Sequence, residues 1–165
     1  MIPKIKTILF ATDLSKNSAY AFYYAVQMAK TDEAKIVILH AVEPLPPMLI
    51  GFGDFSHKVA QDRWDETAQK FKERIQNISV KVDTQLGISS VDLISQILIR
   101  LGPPVDEILK AADEESCDVI VLGSHGKGFL QQTFVGSVCS SVLRRTRKPV
   151  LVVPLPSEDT QIDLI

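Results

Sequence analysis

Four short stretches of the chain are apolar at nearly every position: residues 5–10, 36–39, 119–122 and 150–153. A strand with one face in water alternates polar and apolar residues, so continuous runs predict strands covered on both faces, as in a parallel sheet between helices. Between these runs the period lengthens to that of a helix. Ala19, Phe22, Tyr23, Val26 and Ala29 predict a helix over 15–30, with Ser15 or Asp13 able to cap its start. Trp64, Ala68, Phe71 and Ile75 form one stripe of a helix over 57–76, with charged residues elsewhere. Val105, Ile108, Leu109 and Ala112 predict a third helix over 104–115, opened by proline, and Val138, Val142 and Leu143 a fourth over 136–147.

Strands alternating with helices imply right-handed crossovers, hence an α/β chain: one doubly wound parallel sheet with helices on both faces. Two stretches depart from this rhythm. Residues 43–56, with Pro44, Pro46, Pro47, Gly51 and Gly53, predict a long mobile loop, whose apolar Met48, Leu49, Ile50 and Phe52 suit a cover for a pocket or a partner. Over 79–101, SVKVDTQ fits a strand, SSVDLISQILI a helix capped by Ser90, and QILIRL a strand ending at Gly102. The third strand is therefore expected at 80–85 or at 96–101, with the remainder, near 86–101, an insertion. The tail from Ser157 is expected to fray.

Composition narrows the class. A chain of 165 residues fits a single domain over 1–165, and 45% hydrophobic with 23% charged residues is an ordinary globular balance. No apolar run approaches the roughly 18–20 residues that span a membrane. The opening MIPKIKTILFATD has no signal-peptide pattern, so a cytoplasmic protein is expected. Cys117 and Cys139 have neither metal-site spacing nor a histidine cluster beside them, and read as small core residues in a reducing compartment. A net charge of -2 gives no footprint for nucleic acid. Arg144, Arg145, Arg147 and Lys148 gather at a predicted helix C-terminus, where they complement the dipole.

The stretch that carries chemistry follows the run DVIVL: GSHGKGFLQQTFVGS, with two residues between Gly123 and Gly126 and nine between Gly126 and Gly136. Glycines let backbone amides approach an anion without a Cβ in the way. Gly136-Ser137 opens a helix whose first N–H groups are unpaired and favour phosphate. Lys127 adds a mobile charge and Ser137 a hydroxyl. Taken singly, each glycine suits a turn and Ser137 a cap; the set points to a polyphosphate. It is not a Walker A loop, because Lys127 is followed by Gly128. Nor is ATDLSKNS a dinucleotide fingerprint, since it holds no glycine.

On KTILFATDLS, LHAVE, DVIVLGSHGKG, VGSV and KPVLVV the chain resembles the ATP-binding class of universal stress proteins over nearly its whole length. The resemblance implies a five-stranded parallel sheet ordered 3-2-1-4-5, with ATP across the ends of the first and fourth strands. Open α/β sheets leave a crevice where strand order reverses. It further implies that Ala11, Thr12 and Asp13 lie at the nucleotide, Asp13 contacting adenine, and that Ala41 offers backbone groups to the base. Leu122, Gly123, Ser124, His125, Gly126 and Lys127 would surround ribose and phosphates, and Gly136, Ser137 and Val138 the phosphate end. Asp13 equally suits a helix N-cap. His40 and His57 read as structural or exposed. A homodimer through the last strand is implied as well. In the family the third strand passes quickly to a Gly-x-Pro; here Gly102-Pro103-Pro104 is preceded by surplus residues.

The function expected is an ATP-binding stress-response module acting as a nucleotide-dependent switch. No carboxylate pair for Mg²⁺ and no general base is evident, although Mg²⁺ can accompany ATP; no catalytic residue is assigned and no metal ligand named. The alternatives are an enzyme on the same fold, hydrolysing ATP slowly, and a nucleotide-free interaction protein. Pyrophosphatase relatives of the fold carry Ser-Gly-Gly-x-Asp-Ser where ATDLSKNS stands.

Overall fold

The computed structural model describes residues 2–44, 55–125 and 135–156, with the backbone alone for 55–60. Five strands form one parallel sheet: β1 (Thr7–Ala11), β2 (Lys35–Val42), β3 (Ile94–Leu101), β4 (Val119–Gly123) and β5 (Val150–Val153). Their order is β3-β2-β1-β4-β5. The helices between them are α1 (Lys16–Asp32), α2 (Phe55–Leu86), α3 (Pro104–Glu114) and α4 (Ser137–Arg145). The expected doubly wound α/β architecture and strand order are those observed.

The central strand β1 sets the frame, with Phe10 beside Ile38 of β2 on one flank and beside Val121 of β4 on the other. The pleat sends alternate residues to opposite faces. Ile8, Phe10, Ile36, Ile38, Val119 and Val121 meet α1 and α2 in one core, whereas Leu9, Ala11, Val37, Leu39, Ile120 and Leu122 meet α3 and α4 in another. Reversal of strand order between β1 and β4 leaves their carboxyl ends without a crossing connection.

The helices begin where their sequences allow. Ser15 caps α1, its Oγ accepting from the Ser18 N–H at 3.2 Å, and Glu33 ends that helix in a left-handed conformation at φ 54°. Asp13 is not the cap; its Oδ1 accepts from the Ser15 N–H at 2.9 Å, one step earlier. Pro104 occupies the first turn of α3, where its missing N–H costs nothing. Arg145 of α4 pairs with Asp106 at 2.8 Å, and Lys148 Nζ donates to the Cys117 carbonyl at 2.8 Å. Arg145 and Lys148 of the basic cluster thus meet the chain's own groups.

The stretch 79–101 differs from part of what was expected. Residues 80–85 are not a strand: α2 continues to Leu86. Phe71, Ile75, Ile78 and Val82 recur at helical intervals and are buried, while Val80, which creates the apparent alternation in SVKV, is exposed. A period of 3.6 with a core to face wins over a three-residue imitation of period 2. Nor is 90–99 a helix; Ser90–Leu93 is a single 3-10 turn leading into β3. The alternative placement at 96–101 is the observed one, begun two residues earlier, so the segment near 86–101 includes a strand of the sheet. As an edge strand, β3 has only one neighbour, which explains its mixed polarity.

Residues 45–54, most of the proline-rich loop, and the tail from 157 lie outside the described residues. No described helix is long and apolar enough to cross a membrane.

Candidate functional site

A cleft of about 810 Å³ opens at the carboxyl ends of β1, β2 and β4, in the size range of small-molecule sites. Three segments build it.

The first is the β1–α1 turn. The Thr12 N–H donates to the Leu39 carbonyl at 2.9 Å, extending the β1–β2 ladder by one residue. Thr12 Oγ1 then accepts from the Leu14 N–H at 3.0 Å and pairs with Ser18 Oγ at 2.8 Å. These bonds hold Leu14 at φ 63°, a left-handed conformation unusual for leucine. Asp13 sits between, its carboxylate oriented by the Ser15 N–H. His40 Nδ1 lies 2.8 Å from the Thr12 carbonyl. A carbonyl only accepts, so Nδ1 carries the proton. The imidazole is stacked on Phe71 of α2, centroids 4.7 Å apart and planes 8° from parallel. His40, expected to be structural or exposed, makes these contacts at the wall of the cleft.

The second segment is the end of β4. A Cβ on Gly123 would stand 3.1 Å from the backbone carbon and side chain of Asn17, so glycine is set here by close approach. Asn17 Oδ1 accepts from the His125 N–H at 2.7 Å and from Ser124 Oγ at 3.2 Å. Ser124 Oγ also lies 2.9 Å from His125 Nδ1, so the hydroxyl stands between the Asn17 amide oxygen and the imidazole.

The third segment is the start of α4. The Gly136 N–H donates to the Ser124 carbonyl at 2.7 Å, which brings the helix N-terminus to the end of β4. Gly136 is the N-cap residue and has no side chain to turn back on the helix. The N–H groups of Ser137, Val138 and Cys139 have no partner within the helix and lie along the cleft wall. With the macrodipole they favour an anion.

Of the residues singled out in the sequence, Ala11, Thr12, Asp13, Ala41, Leu122, Gly123, Ser124, His125, Gly136, Ser137 and Val138 all line this one cleft. Gly126 and Lys127 lie outside the described residues, as do most of the residues between the two glycine elements. The wall also includes Leu39, Val42, Pro104 and Ile108, which the motif did not indicate. They add apolar surface to the wall. Asn17, which shapes the cleft from behind, was missed as well. Cys139 lines the cleft, and burial pushes its thiol pKa up, away from thiolate. Among the described residues no group of three or more His, Cys, Asp or Glu is placed to hold a metal ion.

Comparison with known proteins agrees with this architecture. Residues 4–154 match the Universal stress protein family. The universal stress protein MJ0577 of Methanocaldococcus jannaschii is 27% identical over 158 residues, covering 90% of this chain and 94% of that one. Among solved structures, universal stress protein UspA from Lactobacillus plantarum superposes with a TM-score of 0.74 at 24% identity, over 92% of this chain and 99% of that one. A universal stress protein in complex with cAMP matches with a TM-score of 0.60 at 24% identity, over 92% and 98% of the two chains. One from Archaeoglobus fulgidus in complex with dAMP matches at 0.51 and 18% identity, over 90% and 97%.

Proposed function

The chain belongs to the universal stress protein family, and on that premise we propose that its cleft binds ATP or a related adenine nucleotide and that the protein works as a nucleotide-dependent binding module. The observation that carries this reading is the meeting of a glycine-ended strand and a helix N-terminus, joined by the bond from Gly136 N–H to Ser124 O at 2.7 Å. Unpaired amides there suit phosphate oxygens. The apolar wall residues Leu39, Val42, Pro104 and Ile108 suit the base, and the Asp13 carboxylate can accept from an exocyclic amine. Two solved proteins of this fold hold adenine nucleotides, cAMP and dAMP, in line with an adenine ligand.

In this reading Gly126 and Lys127 complete the phosphate cradle, Mg²⁺ arrives with ATP, and the protein acts in the cytoplasm. In it the protein is a binding module, with slow hydrolysis of ATP at most. The β5 edge, paired with β4 alone among the described strands, suits pairing with a second copy. Equilibrium dialysis against ATP tests the reading: saturable binding is expected below millimolar nucleotide, weakened at least about tenfold in Gly136→Asp, which sets a carboxylate at the helix N-terminus. Absence of binding at millimolar ATP overturns it.

A further inference from the structure

Three parts of the fold meet on one side chain that takes no place in the cleft wall. Asn17, in the first turn of α1, is 6% exposed. Its Nδ2 donates to the Val153 carbonyl at 2.9 Å, while its Oδ1 accepts from the His125 N–H and from Ser124 Oγ. The same Val153 carbonyl accepts from the Ser124 N–H at 2.9 Å. Asparagine is an indifferent helix former, but its amide offers a donor and an acceptor at fixed separation. The donor reaches the last residue of β5 and the acceptor reaches the backbone leaving β4. Valine or leucine would do neither, and a carboxylate only the second.

The strand so held is weak in itself. β5 has four residues, and the first three are only partly buried. Pairing on one side alone leaves its order dependent on what grips its end. Meanwhile the His125 N–H, which a flexible loop would turn to solvent, is directed inward on Asn17, fixing which way the neighbouring peptide groups face.

We propose that Asn17 is the positioning residue of the cleft: its amide locks the backbone at 123–125 to the end of β5, so that occupancy of the cleft and order in the edge strand are linked. The lock is a property of the fold; its response to a ligand rests on the nucleotide reading above. Linkage is reciprocal, so whatever pairs with the β5 edge changes affinity at the cleft by the factor with which the ligand orders β5.

Hydrogen exchange on the full chain, with and without millimolar ATP, tests this in wild type, Asn17→Ala and Asn17→Asp. Without ATP, Asn17→Ala should exchange at least about tenfold faster at 123–125 and at 150–153, while β1 stays slow. Asn17→Asp keeps the acceptor and loses the donor, so the loosening should be confined to 150–153. With ATP, wild type should slow at both segments and Asn17→Ala at 123–125 alone, a separation that general destabilisation would not produce. Unchanged exchange at both segments in Asn17→Ala, or equal slowing of 150–153 by ATP in Asn17→Ala and wild type, overturns the proposal. Should Asn17→Ala not fold, unchanged exchange at 150–153 in Asn17→Asp overturns it equally. Should wild type not bind ATP, the nucleotide reading falls, and the ligand-free comparison still decides the lock.

Discussion

The two faces of the sheet are made from alternate residues of the same strands, yet they are filled differently. Against α1 and α2, Phe10, Phe22 and Phe71 close the interior, with the rings of Phe10 and Phe22 centred 5.1 Å apart. On the side of α3 and α4 the strands meet Ile108, Ala111, Ala112, Cys117, Cys139 and Val142, with no aromatic ring among the described residues of that core. The second lends Ala11, Leu39, Ile108, Leu122 and Cys139 to the wall of the cleft, and the first core lends it none of its described buried residues. Stability and binding are therefore assigned to opposite sides of one pleat, and neighbouring residues such as Phe10 and Ala11 fall into different accounts.

The sharpest way to break this division is Phe22→Ala. Removal of a fully buried ring should lower stability by about 3–5 kcal/mol, read from the urea midpoint, with ATP affinity of the folded protein unchanged. A loss under about 1 kcal/mol, or a loss of affinity in its place, would contradict the assignment of roles. Gly123→Ala asks the converse. Its Cβ must displace Asn17, so a cost of about 1–3 kcal/mol is expected, with ATP affinity by calorimetry falling at least about tenfold. An alanine variant that binds as wild type would show that the strand end tolerates displacement.

The smallest effect concerns the face without rings. Burial pushes the Cys117 thiol up to about 11, the nearby Lys148 only partly opposing it. Below an ordinary thiol pKa of about 8.5 both folded and unfolded chains keep the proton. Above it the unfolded chain releases its proton while the folded thiol still holds one, so stability should fall as pH rises towards about 11 and then level. Melting temperatures of Cys117→Ala should decline less over that window than those of wild type. Parallel profiles would mean that the thiol is better solvated than its packing against Ile120 and Ala112 implies.

Most of the fold could be read from the chain because its signals were redundant. Continuous apolar runs gave four strands, and four helical stripes lay between them. The third strand was ambiguous because β3 is an edge: ISQILIRL carries a serine, a glutamine and an arginine that a central strand would not tolerate. Arg100 is held there by Glu114 of α3 at 2.8 Å, a contact that no local pattern foretells. Within the cleft, residues in the glycine motif and the Thr12-Asp13 turn were legible, since their types answer to backbone geometry. Asn17 was not. Two residues beyond a serine cap it resembles any polar helix position, and its partners lie 107, 108 and 136 residues away in sequence. The order of strands places the start of α1 against the ends of β4 and β5, so the signal lay in topology and not in spacing. Ile108 and Pro104 were hidden similarly, being read only as the stripe and opening of a helix.

The contact between His40 and Phe71 ties the longest described helix to the turn that carries Asp13. Phe71 stands near the middle of the 32 residues of α2 and carries the imidazole flat on its ring, while that imidazole grips the carbonyl preceding Asp13. A roll of α2 about its axis is consequently felt as a tilt of one peptide plane, and with it a change in the aim of a carboxylate. The helix behaves as a lever whose short arm ends at the acid.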